Sequence, residues 1–163
     1  MRGKDAYLKE IEETESYARI LAKGYSYTAI AWGKVNLSIG VPNTIIAAIA
    51  GASALSNFSN SNIVAGILSI IVSVLSGLLT FLNPSDRAKS HMQAFTEFQR
   101  LCQRLNMMKI DLANEDGGVI SDELRRKIED MFEKLHDLRS VSPMIPVWAY
   151  KVAKSEVEKN IIY

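Results

Sequence analysis

Residues 63–82, IVAGILSIIVSVLSGLLTFL, place 13 Ile, Leu, Val or Phe among 20 consecutive positions. At ~1.5 Å rise per residue such a helix is about 30 Å long, the thickness of a bilayer core. Residues 37–58 are weaker, with 8 such side chains in 22 positions, interrupted by Pro42, Asn43 and many Ala. Each strongly apolar residue favours insertion by only about 0.3–0.6 kcal/mol, so this span is expected to insert together with its partner. The four residues between the two, Ser59 to Asn62, leave room only for a tight polar turn and an antiparallel hairpin.

Outside the hairpin the period changes to that of amphipathic helices. Upstream, Ile11, Ala18, Tyr25 and Trp32 recur every seven residues, interleaved with Thr14, Leu21, Thr28 and Val35. This is an a/d seam, and Ile11, Ala18, Leu21, Tyr25 and Trp32 are the expected contacts between copies of the chain. Downstream, Asn83-Pro84 opens a helix running to about Leu112, with Ala88, Met92, Phe95, Phe98, Leu101, Cys102, Leu105 and Met108 on one side. NEDGG (114–118) breaks it. Ser121-Asp122-Glu123 starts another helix with Leu124, Ile128, Met131, Leu135 and Leu138 aligned, and Pro143 and Pro146 end it. A last helix is expected over 147–161, carrying Tyr150, Ala153, Val157 and Ile161 on one face.

Charge sharpens this picture. The chain of 163 residues has 19 Lys+Arg and 18 Asp+Glu, yet none of them lies among the 51 residues between Lys34 and Asp86. Segregation so complete is foreign to a soluble domain of this size, and it excludes a disordered chain, a disulfide scaffold and a conventional nucleic-acid binder. Six basic residues precede the hairpin, thirteen follow it, and none is in the turn. The positive-inside rule then places both termini in the cytoplasm and the turn outside, in the cell membrane. Four glutamates within residues 10–15 and no apolar run in the first 30 positions argue against a cleavable signal peptide. The single Cys102 forms no internal disulfide, which suits a reducing compartment.

The expected fold is therefore an all-α membrane protein: a two-span transmembrane helical hairpin with long cytoplasmic helices forming a bundle or coiled coil. One domain over 1–163 is expected, divided into an N-terminal cytoplasmic helix (4–35), a first span (36–58), an external turn (59–62), a second span (63–82) and a cytoplasmic helical region (83–163).

Catalytic chemistry has no foothold. His91 and His136 lack spaced Cys or His partners and are expected on solvated surface, and Cys102 in a core stripe. DLANEDGG (111–118) lacks the third-position ligand and the glycine placement of a calcium loop. No phosphate loop or dinucleotide fingerprint occurs, and the turn is too short for a re-entrant pore loop. No enzyme, no metal site and no cofactor is expected. Trp32, Trp148 and Tyr150 suit interfacial anchoring, with core packing equally open for the last two.

Within the spans, small and polar residues form two rows. Asn62, Gly66, Ser69, Ser73, Ser76, Thr80 and Asn83 follow one another at alternating spacings of four and three, and so do Asn36, Gly40, Asn43, Ala47, Ala50, Ala54 and Asn57. Close helix packing accounts for one row on each helix if the two face each other. In an oligomer one row packs and the other lines an aqueous path. The pore-lining or packing candidates are Asn43, Ala47, Ala50, Ala54, Gly66, Ser69, Ser73, Ser76 and Thr80, with Lys34, Asp86 and Arg87 near the inner mouth.

GKVNLSIGVPNTIIAAIAG (33–51), GLLTFLNPSDRAKSHMQAFTEFQRL (77–101) and the Tyr-rich helix before them resemble the SLATT domains. These are two-transmembrane effector modules associated with nucleotide-second-messenger and other prokaryotic conflict systems. The resemblance covers most of the chain and implies an oligomeric membrane effector that forms pores and kills or arrests an infected cell in antiviral defence. No sensor domain is attached, so a sensor protein or nucleotide second messenger would act through the cytoplasmic helices. The lipid bilayer and further copies of the chain are the other expected partners. The competing expectation is a non-conducting, membrane-anchored helical scaffold that recruits a partner.

Overall fold

The structure, a computed structural model, describes residues 4–56, 59–114 and 120–161, with side chains through Lys159. Among the described residues it is entirely helical: α1 (Lys4–Leu55), α2 (Ser61–Leu82), α3 (Pro84–Asn114), α4 (Asp122–Val141) and α5 (Val147–Ile161). The N-terminal helix and the first span are one continuous element, since α1 is a single helix of 52 residues. Pro42 lies inside that helix, where it removes a backbone donor. The end of the first span at Phe58, the row member Asn57 and residues 115–118 of the NEDGG break lie outside the described residues.

The chain divides into two compact units, Ile30–Lys89 and the pair of segments Met1–Ala29 and Ser90–Tyr163. The second of these is a four-helix assembly with an apolar centre. Ile11, Ala18, Leu21 and Tyr25 of α1 meet Phe98, Leu101, Leu105 and Leu112 of α3 and Leu124, Ile128 and Leu135 of α4 in one buried cluster. Ile20 of α1 forms a smaller cluster with Ala153 and Val157 of α5. The spacing of four and three in α4 delivers this packing: Leu124, Ile128 and Leu135 are buried, and Met131 and Leu138 pack at the edge. Ser121 caps α4, its side-chain oxygen accepting from the Leu124 N–H at 3.3 Å.

The apolar row of α3 runs through Phe98, Leu101 and Leu105 as expected and departs from expectation near the start of the helix. His91, not Met92, is buried there; Met92 is exposed. The expectation of a solvated His91 is thus corrected: its ring lies 5.9 Å from Tyr25, which in turn stacks on Phe98 at 5.3 Å. His136 is exposed. Cys102 is half-buried, with its Sγ 3.8 Å from the carbonyl of Glu15, and burial pushes its thiol pKa up to about 11. Tyr150 packs against the core, while Trp148 is exposed.

Candidate functional site: the faces of the hairpin

The unit Ile30–Lys89 holds the later part of α1, all of α2 and the first turns of α3. Its local geometry follows from asparagines that tolerate the left-handed region. Asn60, at φ 68°, starts α2, and its carbonyl accepts from Ile63 N and Val64 N at 3.0 and 3.1 Å. The Ser61 hydroxyl donates to the Ser56 carbonyl at 3.0 Å and ties the helix start back to the end of α1. Asn83, at φ 43°, ends α2, its N–H donating to Leu79 O at 3.0 Å, and Pro84 begins α3 directly. The uncharged later part of α1 and the uncharged α2 joined this way give two apolar stretches, with mean hydropathy of 1.5 and 2.4, each long enough to cross a membrane. Only 11% and 6% of those two stretches is buried within the chain, which sets them apart from the central helix of a water-soluble protein.

On α2 the less exposed positions are Ser61, Ala65, Leu68, Val72, Leu75, Leu79 and Leu82. This row keeps the same four–three spacing as the small and polar row, displaced by one residue at every step. One residue is a rotation of about 100° on a 3.6-residue helix. Gly66, Ser69, Ser73 and Thr80 are accordingly exposed, and only Ser76 is half-buried. On the part of α1 in this unit that follows Lys34, the less exposed positions are Val35, Asn36, Ile39, Gly40, Asn43, Ile46, Ala50 and Ser53. Asn43 and Ala50 of the expected row therefore face inward, whereas Ala47 and Ala54 are exposed and are replaced on the inner face by Ile46 and Ser53. The two rows touch through one polar bridge, Asn43 Nδ2 donating to Ser76 Oγ at 2.9 Å.

The exposed hydroxyls are not idle. Ser73 donates to the Ser69 carbonyl and Thr80 to the Ser76 carbonyl, both at 2.9 Å, and Thr44 donates to Gly40 O at 3.0 Å. Each is the back-bond from a hydroxyl to the preceding turn of its own helix. An added Cβ at Gly40, Gly51, Gly66 or Gly77 would meet nothing within 4 Å, so these glycines leave open shelves on the hairpin surface.

Of the three expected mouth residues, Asp86 and Arg87 share a cluster at the start of α3. Asn83 Nδ2 donates to Asp86 Oδ2 at 2.5 Å, Lys89 lies 3.8 Å from Asp86, and Arg87 Nε donates to Leu82 O at 2.8 Å. Arg87 also lies over the Trp32 ring, 5.0 Å from its centroid, so Trp32 is a cation–π partner. Lys34 is exposed on α1.

The heptad row is placed otherwise. Ile11, Ala18, Leu21 and Tyr25 are all buried by the chain's own α3 and α4, so a second copy would have to meet a different surface. The same row conceals a polar group that the periodicity alone offered. Glu15, four residues after Ile11 and three before Ala18, is buried and ion-paired with Arg19 and with Lys109, the latter at 2.5 Å. His91, seven residues before Phe98, was legible in the same way. Across the α1–α5 face Lys23 pairs with Glu156 at 2.9 Å; Tyr27 donates to that carboxylate, which lowers the Glu156 pKa and raises that of Tyr27. Among the described residues no group of three or more His, Cys, Asp or Glu is placed to hold a metal ion.

The family model for fungal SLATT domains, described as the SMODS and SLOG-associating 2TM effector domain, matches residues 9–140. That stretch takes in the hairpin, α3 and nearly all of α4. No curated protein and no solved structure matches the chain.

Proposed function

The chain belongs to the SLATT family of two-transmembrane effector domains, and from that premise we propose that it is a two-span membrane effector whose copies assemble into a pore. The observation that carries the reading is the exposed row Gly66, Ser69, Ser73 and Thr80 on a helix otherwise covered in Ile, Val and Leu. Packing against α1 uses mainly the neighbouring row, so apart from Ser76, which bridges to Asn43, folding of the single hairpin leaves the small and polar row without an interhelical contact. Small residues permit close approach of helices in lipid, and hydroxyls tolerate water in a narrow path. In this reading copies meet through the hairpin faces, because the Ile11–Tyr25 row is already filled from within the chain. Both termini lie in the cytoplasm, and a sensor protein or nucleotide second messenger acts on the helices there. Such a pore has no charge at mid-membrane and discriminates weakly among small ions.

Purified protein in liposomes tests this by conductance. In a Cys102→Ser background, Ser69→Cys and Ser73→Cys should react with small aqueous thiol reagents and change the current. Ile70→Cys and Val74→Cys should be protected. Ser76→Cys should react least among the row, because that position is engaged with Asn43. An impermeant reagent added outside cells should label Ser59→Cys. A protein that inserts but never conducts, with any trigger supplied, leaves the hairpin as an anchor and ends the pore reading.

A further inference from the structure

The connection between α4 and α5 breaks the rule that governs the rest of its unit. VSPMIPVW (141–148) contains no charged or amide side chain. Val141 is 80% exposed, Met144 91%, Val147 68% and Trp148 51%. Ser142, Pro143, Ile145 and Pro146 are half-buried, and a Cβ added at Gly24 would meet Ile145 Cγ2 at 3.2 Å, so the loop is seated directly on α1. Beside it is an open groove of about 430 Å³ whose lining includes Tyr17, Tyr25, Ser142, Met144, Val147 and Tyr150, so Met144 and Val147 border the groove and still remain largely exposed.

Charge indicates what these side chains meet. Between Asp137 and Glu156 the only charged residues are Arg139, Lys151 and Lys154, all basic and all exposed. Acidic side chains are frequent on either side of that window and absent inside it. An apolar tip carrying Met, Val and Trp with a basic rim is the composition that seats in the headgroup layer of an anionic bilayer: the apolar groups enter the acyl boundary, the Trp ring sits at headgroup depth, and the cations meet lipid phosphates.

We propose that the α4–α5 loop is a second membrane contact of this chain, a lipid-surface wedge formed by Met144, Val147 and Trp148 with Arg139 and Lys151 as its phosphate-facing rim; Val141 borders Asp130, Glu133 and Asp137, and Lys154 is paired with Glu158, so neither takes part. It rests on the two-span reading but not on pore formation. A contact of this kind ties the bundle to lipid composition, since anionic lipid strengthens the basic rim and neutral lipid does not.

The chain has two tryptophans, so each is read in the absence of the other. Full-length protein carrying Trp32→Phe is reconstituted in vesicles of phosphatidylcholine with and without phosphatidylglycerol, using lipids brominated at shallow acyl positions. Trp148 should be quenched by the brominated lipid, should shift its emission to the blue, and should do both more strongly with phosphatidylglycerol. Met144→Glu with Val147→Glu should abolish the quenching while helix content by circular dichroism stays at the parent level. Arg139→Gln with Lys151→Gln should remove only the dependence on phosphatidylglycerol. Trp148 that is open to aqueous iodide and untouched by brominated lipid overturns the proposal. Protection from iodide without lipid quenching, lost when vesicles are diluted with protein-free lipid, also overturns it and assigns the loop to contact between copies. Trp32 in the Trp148→Phe chain is the control: quenched Trp32 beside unquenched Trp148 sinks the loop contact alone, and failure of both sinks the two-span reading as well.

Discussion

In the helical bundle, apolar side chains leave solvent and charges face it; in the hairpin the apolar side chains are the ones exposed. Phe98 in the bundle is fully buried, whereas Phe81 in the hairpin is 84% exposed. The polar groups invert as well. The bundle encloses the carboxylate of Glu15 only with Arg19 and Lys109 as counter-ions, while the hairpin's inner face carries the uncharged Asn43–Ser76 bridge. Two units of one chain, both helical, therefore follow opposite rules for what faces outward. The bundle obeys the hydrophobic effect in water. The hairpin follows the rule for helices in lipid, where apolar surface gains nothing by hiding and association relies on close packing and hydrogen bonds.

The contrast is broken or sharpened most directly at the two phenylalanines. Phe98→Ala should cost about 3–5 kcal/mol through lost transfer energy and a residual cavity. It should lower the unfolding midpoint of the bundle in detergent solution. Phe81→Ala should leave that midpoint in place, and an equal loss from both would mean that the hairpin is packed like a water-soluble core.

Cys102 gives the next largest effect. Burial, the leading cause, raises its pKa from 9.0 to about 11, so at any pH below 9 its thiolate fraction is about a hundredfold below that of an exposed cysteine. Maleimide labelling at pH 8 should be slower by that factor and should rise about tenfold per pH unit toward pH 11. Rapid labelling at neutral pH would show that the α1–α3 contact opens readily.

Removing the buried carboxylate with Glu15→Ala leaves Lys109 without its buried counter-ion. Because Lys109 retains some access to water, the expected loss is about 2 kcal/mol. Adding Lys109→Met should recover part of it in the same denaturation measurement. The smallest effect belongs to the hairpin: Asn43→Ala deletes one interhelical hydrogen bond, worth about 0.6 kcal/mol in lipid-like surroundings. A loss several times larger in detergent-titration unfolding would make the Asn43–Ser76 bridge the organiser of the hairpin.

The sequence announced the hairpin because charge and hydropathy are one-dimensional signals that survive without a structure. The empty interval between Lys34 and Asp86, the caps at Asn83-Pro84 and Ser121, and the row Leu124, Ile128 and Leu135 could each be read directly. Rows on helices were harder. A four–three spacing identifies a stripe but not its partner, so Ile11, Ala18, Leu21 and Tyr25 fit a coiled coil between copies as well as the internal bundle they form. On α2 two stripes one residue apart satisfy the same spacing, and composition favours the wrong one for packing: Leu and Val, not Gly and Ser, turn toward the partner helix. His91 was misplaced for a related reason. Its neighbours suggested a basic surface turn, while its distance from Phe98 placed it on the buried side.

The hydroxyls of Ser73 and Thr80, each donating to a carbonyl of their own helix, have a consequence for any change of surroundings. A hydroxyl that brings its acceptor with it loses little when water is withdrawn, and it keeps a lone pair to offer when water returns. A face built this way is ambivalent about its medium. In the pore proposed above, turning it from hydrocarbon to an aqueous lumen, or back, would involve no large desolvation step, so the balance between the two settings would be governed by how neighbouring surfaces fit.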